Sequence, residues 1–69
     1  MSNAQEFVEG RRISLYKDEN GYWIAEVPSL SGCATDGKTR EETLERVKEA
    51  IELWIEAAHD HNEPIPKTF

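Results

Sequence analysis

Residues 21–54 constrain the fold more than any other part of this chain. They read as a strand, a loop that begins at Val27-Pro28, a short strand, a turn at Asp36-Gly37 and a long acidic helix. Apolar residues alternate in the strand part and recur every three or four positions in the helix part, so the two periods are distinct. The pattern predicts a two-layer α+β domain in which one helix packs on an antiparallel sheet.

Three strands and one helix are predicted, in the order β-β-β-α. Residues 7–16 form the first strand, residues 22–27 the second and residues 33–35 the third, with a hairpin turn at Asn20-Gly21 between the first two. Leu30 is expected to fold back as a plug. Residues 64–66, Pro-Ile-Pro, are stiff and poor in N–H donors, so they fit only a short fourth strand at an edge of the sheet.

The helix is predicted to open at Thr39, because Thr39 and Glu42 fit a capping box in which each side chain bonds the other residue's backbone. Asn62 and Pro64 are expected to end it near residue 61. One apolar stripe, spaced by three and four residues, packs on the sheet. The stripe consists of Leu44, Val47, Ile51, Trp54 and Ala58, widened by Ala50 and Ile55.

Length and cysteine content limit how the domain is stabilised. The chain has 69 residues and one cysteine, Cys33, which excludes an intramolecular disulfide. A core this small favours self-association into a homodimer or larger oligomer. The lone thiol favours the cytoplasm, and the sequence contains no pattern typical of a signal peptide or membrane span. Residues 1–5 are interpreted as a tag remnant or disordered tail, and residues 6–69 as a single domain.

The charge balance excludes one class of partner. Fourteen acidic residues and eight basic ones give a net charge of −6, and the only basic doublet is Arg11-Arg12. Binding to a phosphate backbone needs clustered cations, so we expect no direct binding to nucleic acid. An acidic face either attracts a basic protein or only keeps the domain soluble, and the charge alone leaves both interpretations open.

No motif predicts catalysis, a cofactor or a metal. Cys33 follows a glycine at the start of a strand, where small core thiols are common, and no base accompanies it. His59 and His61 are two positions apart on a helix, so their rings diverge. The helix carboxylates follow one solvated face rather than converging on a cleft. The Gly37-Lys38-Thr39 run lacks the spacing of a phosphate-binding loop. We therefore expect a binding module rather than an enzyme.

A series of short motifs follows one fixed order along most of the chain. It consists of Gly21-Tyr22, Ala25, Val27-Pro28, Leu30, Gly32-Cys33, Gly37, Thr39, Glu41-Glu42, Leu44, Glu49-Ala50, Leu53 and Ile65-Pro66. This order resembles the HicB family, the antitoxins of HicA–HicB toxin–antitoxin pairs. Two mild departures are Ser31, where the family usually has proline, and Trp23, where it usually has a smaller aliphatic residue.

The resemblance implies a partial RNase H-like fold and a protein that binds and neutralises a small, basic, HicA-like RNase toxin. Longer relatives add a DNA-binding domain, which we do not expect here because the sequence ends at Phe69. The alternative is a structural or ligand-binding homo-oligomer with no toxin. The candidate surface for a partner or a second copy comprises Tyr16, Tyr22, Ile24, Leu30, Glu45, Glu49, Glu52 and Glu56.

Overall fold

The structure, a computed structural model, describes residues 6–65 as one sheet and one helix. The strands form a single antiparallel sheet in the order β1-β2-β3-β4, and the helix packs on one face of it, mainly against β3 and β4. The predicted α+β class is therefore confirmed. The elements are β1 (Glu6–Val8), β2 (Arg11–Lys17), β3 (Trp23–Glu26), β4 (Ala34–Gly37) and α1 (Arg40–Asp60).

The first strand was predicted wrongly as one continuous segment, because the chain reverses at Glu9-Gly10. These two residues have φ angles of 55° and 77°, and they connect the paired residues Val8 and Arg11. A two-residue loop with positive φ at both positions has the geometry of a type I′ turn, whose twist matches the flanking strands. The result is a fourth strand at the N-terminal edge of the sheet.

The hairpin between β2 and β3 is confirmed, although its turn is built on Asp18. The Asp18 carboxylate accepts hydrogen bonds from the N–H groups of Asn20 and Tyr22, both at 2.9 Å. Gly21 has a φ of 88° and its N–H donates to the Asp18 carbonyl at 3.1 Å. Only the glycine of the Asn-Gly pair therefore needs the left-handed conformation.

The last strand begins and ends later than predicted. Residues 34–37 pair with β3, so Asp36 and Gly37 belong to β4, and the predicted turn at these two residues is wrong. Pro64 and Ile65 are not in a strand, so the C-terminal edge strand is also wrong for these residues. Pro66 and the predicted tail at residues 1–5 lie outside the described residues.

Both ends of α1 are capped, as the sequence predicts. The Thr39 hydroxyl accepts from the Glu42 N–H at 3.0 Å, and the Glu42 carboxylate accepts from the Lys38 N–H at 2.8 Å, one residue earlier than predicted. At the other end, Asn62 has a φ of 56° and the Glu63 N–H donates to the Ala58 carbonyl at 2.8 Å. These bonds satisfy carbonyls at the end of the helix in the manner of a Schellman motif.

The core lies between α1 and the inner face of the sheet. On the helix, Val47, Ile51 and Ala58 are buried, whereas Leu44, Ala50, Trp54 and Ile55 pack around them partly exposed. The predicted stripe is therefore confirmed, with Trp54 at its border rather than fully inside. The sheet side of the core comprises Ile13, Ala25, Val27, Leu30 and Cys33.

Gly37 explains how closely the helix approaches the sheet. A Cβ atom on Gly37 would lie 2.5 Å from the Thr43 Oγ1 and 3.1 Å from the Thr43 N. Thr43 is completely buried, and its hydroxyl donates to the Thr39 carbonyl at 2.7 Å. The first turn of α1 thus rests directly on the end of β4, and a glycine there leaves the necessary room. No helix within residues 6–65 is long and apolar enough to cross a membrane.

Candidate functional site

Cys33, which the sequence predicts to be a core thiol, is buried in the core. Burial raises the pKa of its thiol, and the nearby Arg11 guanidinium lowers it by a smaller amount. A raised pKa disfavours the thiolate, which is the reactive form of cysteine. His59 and His61 lie exposed at the far end of α1, and no metal-binding group of His, Cys, Asp or Glu is found among residues 6–65. The surroundings of Cys33 are those of a core thiol.

The loop between β3 and β4, residues 27–33, contains two successive turns. Leu30 N–H donates to the Val27 carbonyl at 3.0 Å, and Cys33 N–H donates to the Leu30 carbonyl at 3.1 Å. The side chain of Leu30 is only 1 % exposed, so it is the plug that the sequence predicts. This burial removes Leu30 from the candidate surface, because its side chain lies in the core and not on the outside of the domain.

Two side chains from other elements tie this loop in place. Arg11, on β2, donates to the Ser29 hydroxyl at 2.9 Å, and the Trp54 indole N–H, on α1, donates to the Ser31 carbonyl at 3.0 Å. Neither contact is evident from sequence, because each joins residues that are far apart in the chain. The loop is therefore held from both layers of the domain.

An acidic surface runs along the solvent side of α1. Glu45, Glu49, Glu52 and Glu56 are all exposed. At about 100° per residue they fall within roughly 60° of one another around the helix axis, so they form a single stripe. Leu53 is 64 % exposed and, with Glu49, Glu52 and Glu56, lines a shallow surface depression. We call these four glutamates and Leu53 the acidic stripe.

A second surface is the face of the sheet opposite the helix, which no described element covers. The strand register places Tyr16 beside Ile24 and Ile24 beside Asp36, while Phe7 lies beside Arg12. Phe7 and Tyr16 are 60 % and 44 % exposed. Tyr16 donates its hydroxyl proton to the Glu26 carboxylate at 2.8 Å, and this bond is the largest cause of the raised pKa of Tyr16.

The predicted surface residues therefore separate onto two sides of the molecule. Tyr16 and Ile24 lie together on the uncovered sheet face, and the four glutamates lie on the far side of α1. Tyr22 is exposed but belongs to the turn before β3 rather than to the paired register. Sequence reasoning missed Phe7 and Leu53, although their exposure follows from alternation in a strand and from the helical period. A role for any of these residues in binding stays a prediction.

Curated relatives of this chain occur in archaea and in a cyanobacterium. A UPF0150 protein of Thermoplasma acidophilum is 49 % identical over 55 residues, which cover 80 % of this chain and 80 % of that protein. A UPF0150 protein of Archaeoglobus fulgidus is 57 % identical over 44 residues, 64 % of each chain. A UPF0150 protein of Synechocystis is 43 % identical over 54 residues, 78 % of this chain and 74 % of that protein.

The comparison with protein families covers most of the domain. No solved structure matches this chain significantly, so the partial RNase H-like fold stays a prediction. The family model for the HicB-like antitoxin of bacterial toxin–antitoxin systems matches residues 12–69, which include β3, β4, α1 and all of β2 except Arg11. The chain therefore belongs to the HicB-like antitoxin family.

Proposed function

We propose that this chain is a cytoplasmic, non-enzymatic antitoxin that self-associates and binds and neutralises a small, basic, HicA-like RNase toxin. The family identifies an antitoxin of a toxin–antitoxin system. The acidic stripe supports a basic partner, because it places four exposed carboxylates on one side of α1.

Charge complementarity favours a basic partner at this stripe. The net charge of the chain is −6, and the four glutamates concentrate part of it on a rigid helix. A surface potential of one sign speeds the encounter with a partner of the opposite sign, whereas lasting affinity comes from desolvated apolar contacts. Leu53 supplies an apolar contact within the same stripe.

A non-enzymatic role is supported by the surroundings of the groups that could react. The only thiol is buried with a raised pKa, and the helix carboxylates face solvent instead of enclosing a cleft. Nucleophilic catalysis requires an accessible nucleophile beside a base. Neutralisation requires only that the antitoxin occupies the surface that the toxin uses to reach RNA.

The test measures binding kinetics with the basic RNase encoded beside the gene or co-purified with the chain. Glu49→Lys with Glu56→Lys should slow association about tenfold at low salt and flatten its salt dependence, with less change in dissociation. Leu53→Asp should mainly speed dissociation. The wild-type chain should suppress RNA cleavage by the toxin, and the variants should do so only at higher concentration.

A matched control separates the stripe from the overall charge. Glu19→Lys with Glu63→Lys makes the same change in net charge at two exposed residues outside α1. This control should leave association much closer to wild type, because the reversed charges lie away from the stripe. Equal slowing by both pairs would show that the stripe has no special role. If no basic RNase adjoins the gene or co-purifies, the toxin proposal fails.

The second candidate is a homo-oligomer that has no toxin partner. The uncovered sheet face favours it, because exposed Phe7 and Tyr16 both lie on this face and Tyr16 pairs with Ile24. Exposed apolar patches of this kind mark contact surfaces. This candidate predicts self-association and no effect of the stripe variants on any activity in the cell.

A further inference from the structure

The last strand of the sheet, β4, has one side that no described element pairs with. Among residues 6–65 it is the end strand of the sheet order and bonds only β3. A strand in this position presents main-chain N–H and C=O groups to solvent, and such a row invites pairing with a strand of another chain. We refer to the outward side of Ala34–Gly37 as the β4 edge.

The register shows which residues present their main-chain groups at the β4 edge. The Val27 N–H donates to the Cys33 carbonyl at 3.0 Å, so these two residues form a hydrogen-bonded pair. Bonded and non-bonded pairs alternate along an antiparallel ladder, so Thr35 also bonds β3, whereas Ala34 and Asp36 face away from it. Within β4, an added strand would therefore bond Ala34 and Asp36.

Arg46 already occupies one of these two positions. Its side chain reaches from α1 to the β4 edge, where the Nη1 donates to the Asp36 carbonyl at 3.0 Å and lies 3.9 Å from the Asp36 Oδ1. Neighbouring strands lie about 4.7–4.9 Å apart, and an added strand would direct its own N–H at the same carbonyl. The Arg46 guanidinium thus lies where the added strand would run.

The guanidinium is also held from the helix side. Glu42 lies one turn earlier on α1, with its Oε2 3.5 Å from the Arg46 Nη2, and its Oε1 accepts the Lys38 N–H at 2.8 Å. The Arg46 and Glu42 side chains are 52 % and 41 % exposed. An ion pair this exposed stabilises a fold only slightly, so covering the β4 edge is the larger effect that Arg46 can have.

We propose that Arg46 closes the β4 edge to strand addition by a second copy of this chain. A second β4 fits this edge, because two copies related by a two-fold axis would each offer Ala34 and Asp36 to the other in an antiparallel pairing. Charged side chains at an edge are one means by which proteins prevent such pairing. The inference goes beyond the proposed function, since it involves neither the toxin nor the acidic stripe.

The variant Arg46→Met tests the closure by sedimentation across the micromolar range. Methionine keeps an unbranched side chain and removes the guanidinium, so the Asp36 carbonyl becomes free to pair. The variant should associate at a concentration at least about tenfold lower than wild type. Its Tm should change little, because the lost ion pair is exposed. An Arg46→Met chain that sediments as the wild type does would overturn the proposal.

The matched control is Lys48→Met, which makes the same change in charge and introduces the same side chain at another exposed residue of α1. This control should sediment as wild type. Arg46→Gln introduces no apolar surface and should associate as Arg46→Met does. Equal association of Arg46→Met and Lys48→Met would mean that the lost charge or the new methionine is responsible, and the closure would be refuted.

Hydrogen exchange followed by NMR locates the contact. The Ala34 and Asp36 amides should exchange quickly in the wild type at every concentration and become protected in Arg46→Met as it associates. The Thr35 amide bonds β3 and should be protected in both proteins.

Two exchange results would contradict the closure. Association of Arg46→Met without protection of Ala34 and Asp36 would place the contact elsewhere. Protection of these amides that rises with concentration in the wild type would show that the β4 edge pairs while Arg46 is present. None of these measurements uses a toxin, so they can fail or succeed independently of the proposed function.

Discussion

Replacing Gly37 with alanine tests how closely α1 approaches β4. Gly37 does not have a positive φ angle. Alanine at such a position ordinarily stabilises a fold by about 0.4–1 kcal/mol, because it lowers the conformational entropy of the unfolded chain. The added Cβ, however, would lie 2.5 Å from the Thr43 Oγ1 and 3.2 Å from the Thr43 Cα. The helix backbone would have to move, and overpacking of this kind costs about 1–3 kcal/mol. We expect Gly37→Ala to destabilise the domain by a net of about 1–2 kcal/mol.

Urea or thermal unfolding followed by circular dichroism measures this change, which corresponds to a fall of about 5–15 °C in Tm for a domain of this size. Thr43→Ala removes the Oγ1 that the new Cβ would contact but leaves the Thr43 backbone atoms in place. The double variant with Gly37→Ala and Thr43→Ala should therefore be about 1 kcal/mol more stable than the sum of the two single changes predicts. A Gly37→Ala variant as stable as the wild type, or more stable, would refute the close approach.

Two other predictions rest on single contacts, and a third rests on the net charge. Trp54→Phe keeps an aromatic ring but loses the hydrogen bond to the Ser31 carbonyl, so it should lower the free energy of unfolding by about 1 kcal/mol. Trp54→Ala should lower it more, by about 2–4 kcal/mol, because it also removes a partly buried ring. Equal melting curves for the two variants would contradict the packing of this ring. The pKa of Glu42 is lowered, chiefly by the hydrogen bond from the Lys38 N–H. The ionised Glu42 therefore stabilises the fold above the ordinary pKa of glutamate, and this stabilisation disappears as the pH falls through the lowered pKa. Glu42→Gln should flatten the dependence of Tm on pH in this acidic range, as measured by thermal melting. With a net charge of −6, the isolated chain should give no gel shift with DNA or RNA at physiological salt, and saturation at micromolar protein would refute the charge argument.

The sequence predicts the helix better than the strands, and the reason is physical. Thr39 and Asn62 mark the ends of α1 by local capping, and the period of the apolar residues identifies the buried side. These signals are local, so they can be read without the rest of the fold. The β1–β2 turn was missed because Glu9 adopts a positive φ angle, which is uncommon for a residue that is not glycine, asparagine or aspartate.

At the candidate surfaces too, features that depend on residues close in the sequence could be predicted, whereas contacts between distant residues could not. Exposure of the four stripe glutamates follows from the helical period, and the position of Tyr16 beside Ile24 follows from alternation together with the hairpin. The bond from Trp54 to the 27–33 loop and the contact between Gly37 and Thr43 depend on how the helix crosses the sheet. No pattern in the sequence encodes that crossing, so these contacts required the structure.

The way the 27–33 loop is held determines how its variants should be interpreted. Leu30 anchors it in the core, Arg11 bonds Ser29 from the sheet, and Trp54 bonds the Ser31 carbonyl from the helix. A loop tied at three points is ordered before any partner arrives, so a contact made there costs little ordering entropy. For the same reason, replacing an anchor changes both the stability of the fold and the shape of the loop. Loss of binding in such variants therefore identifies a contact surface only when stability is unchanged, whereas the exposed Phe7 and Leu53 allow binding to be altered without disturbing the core.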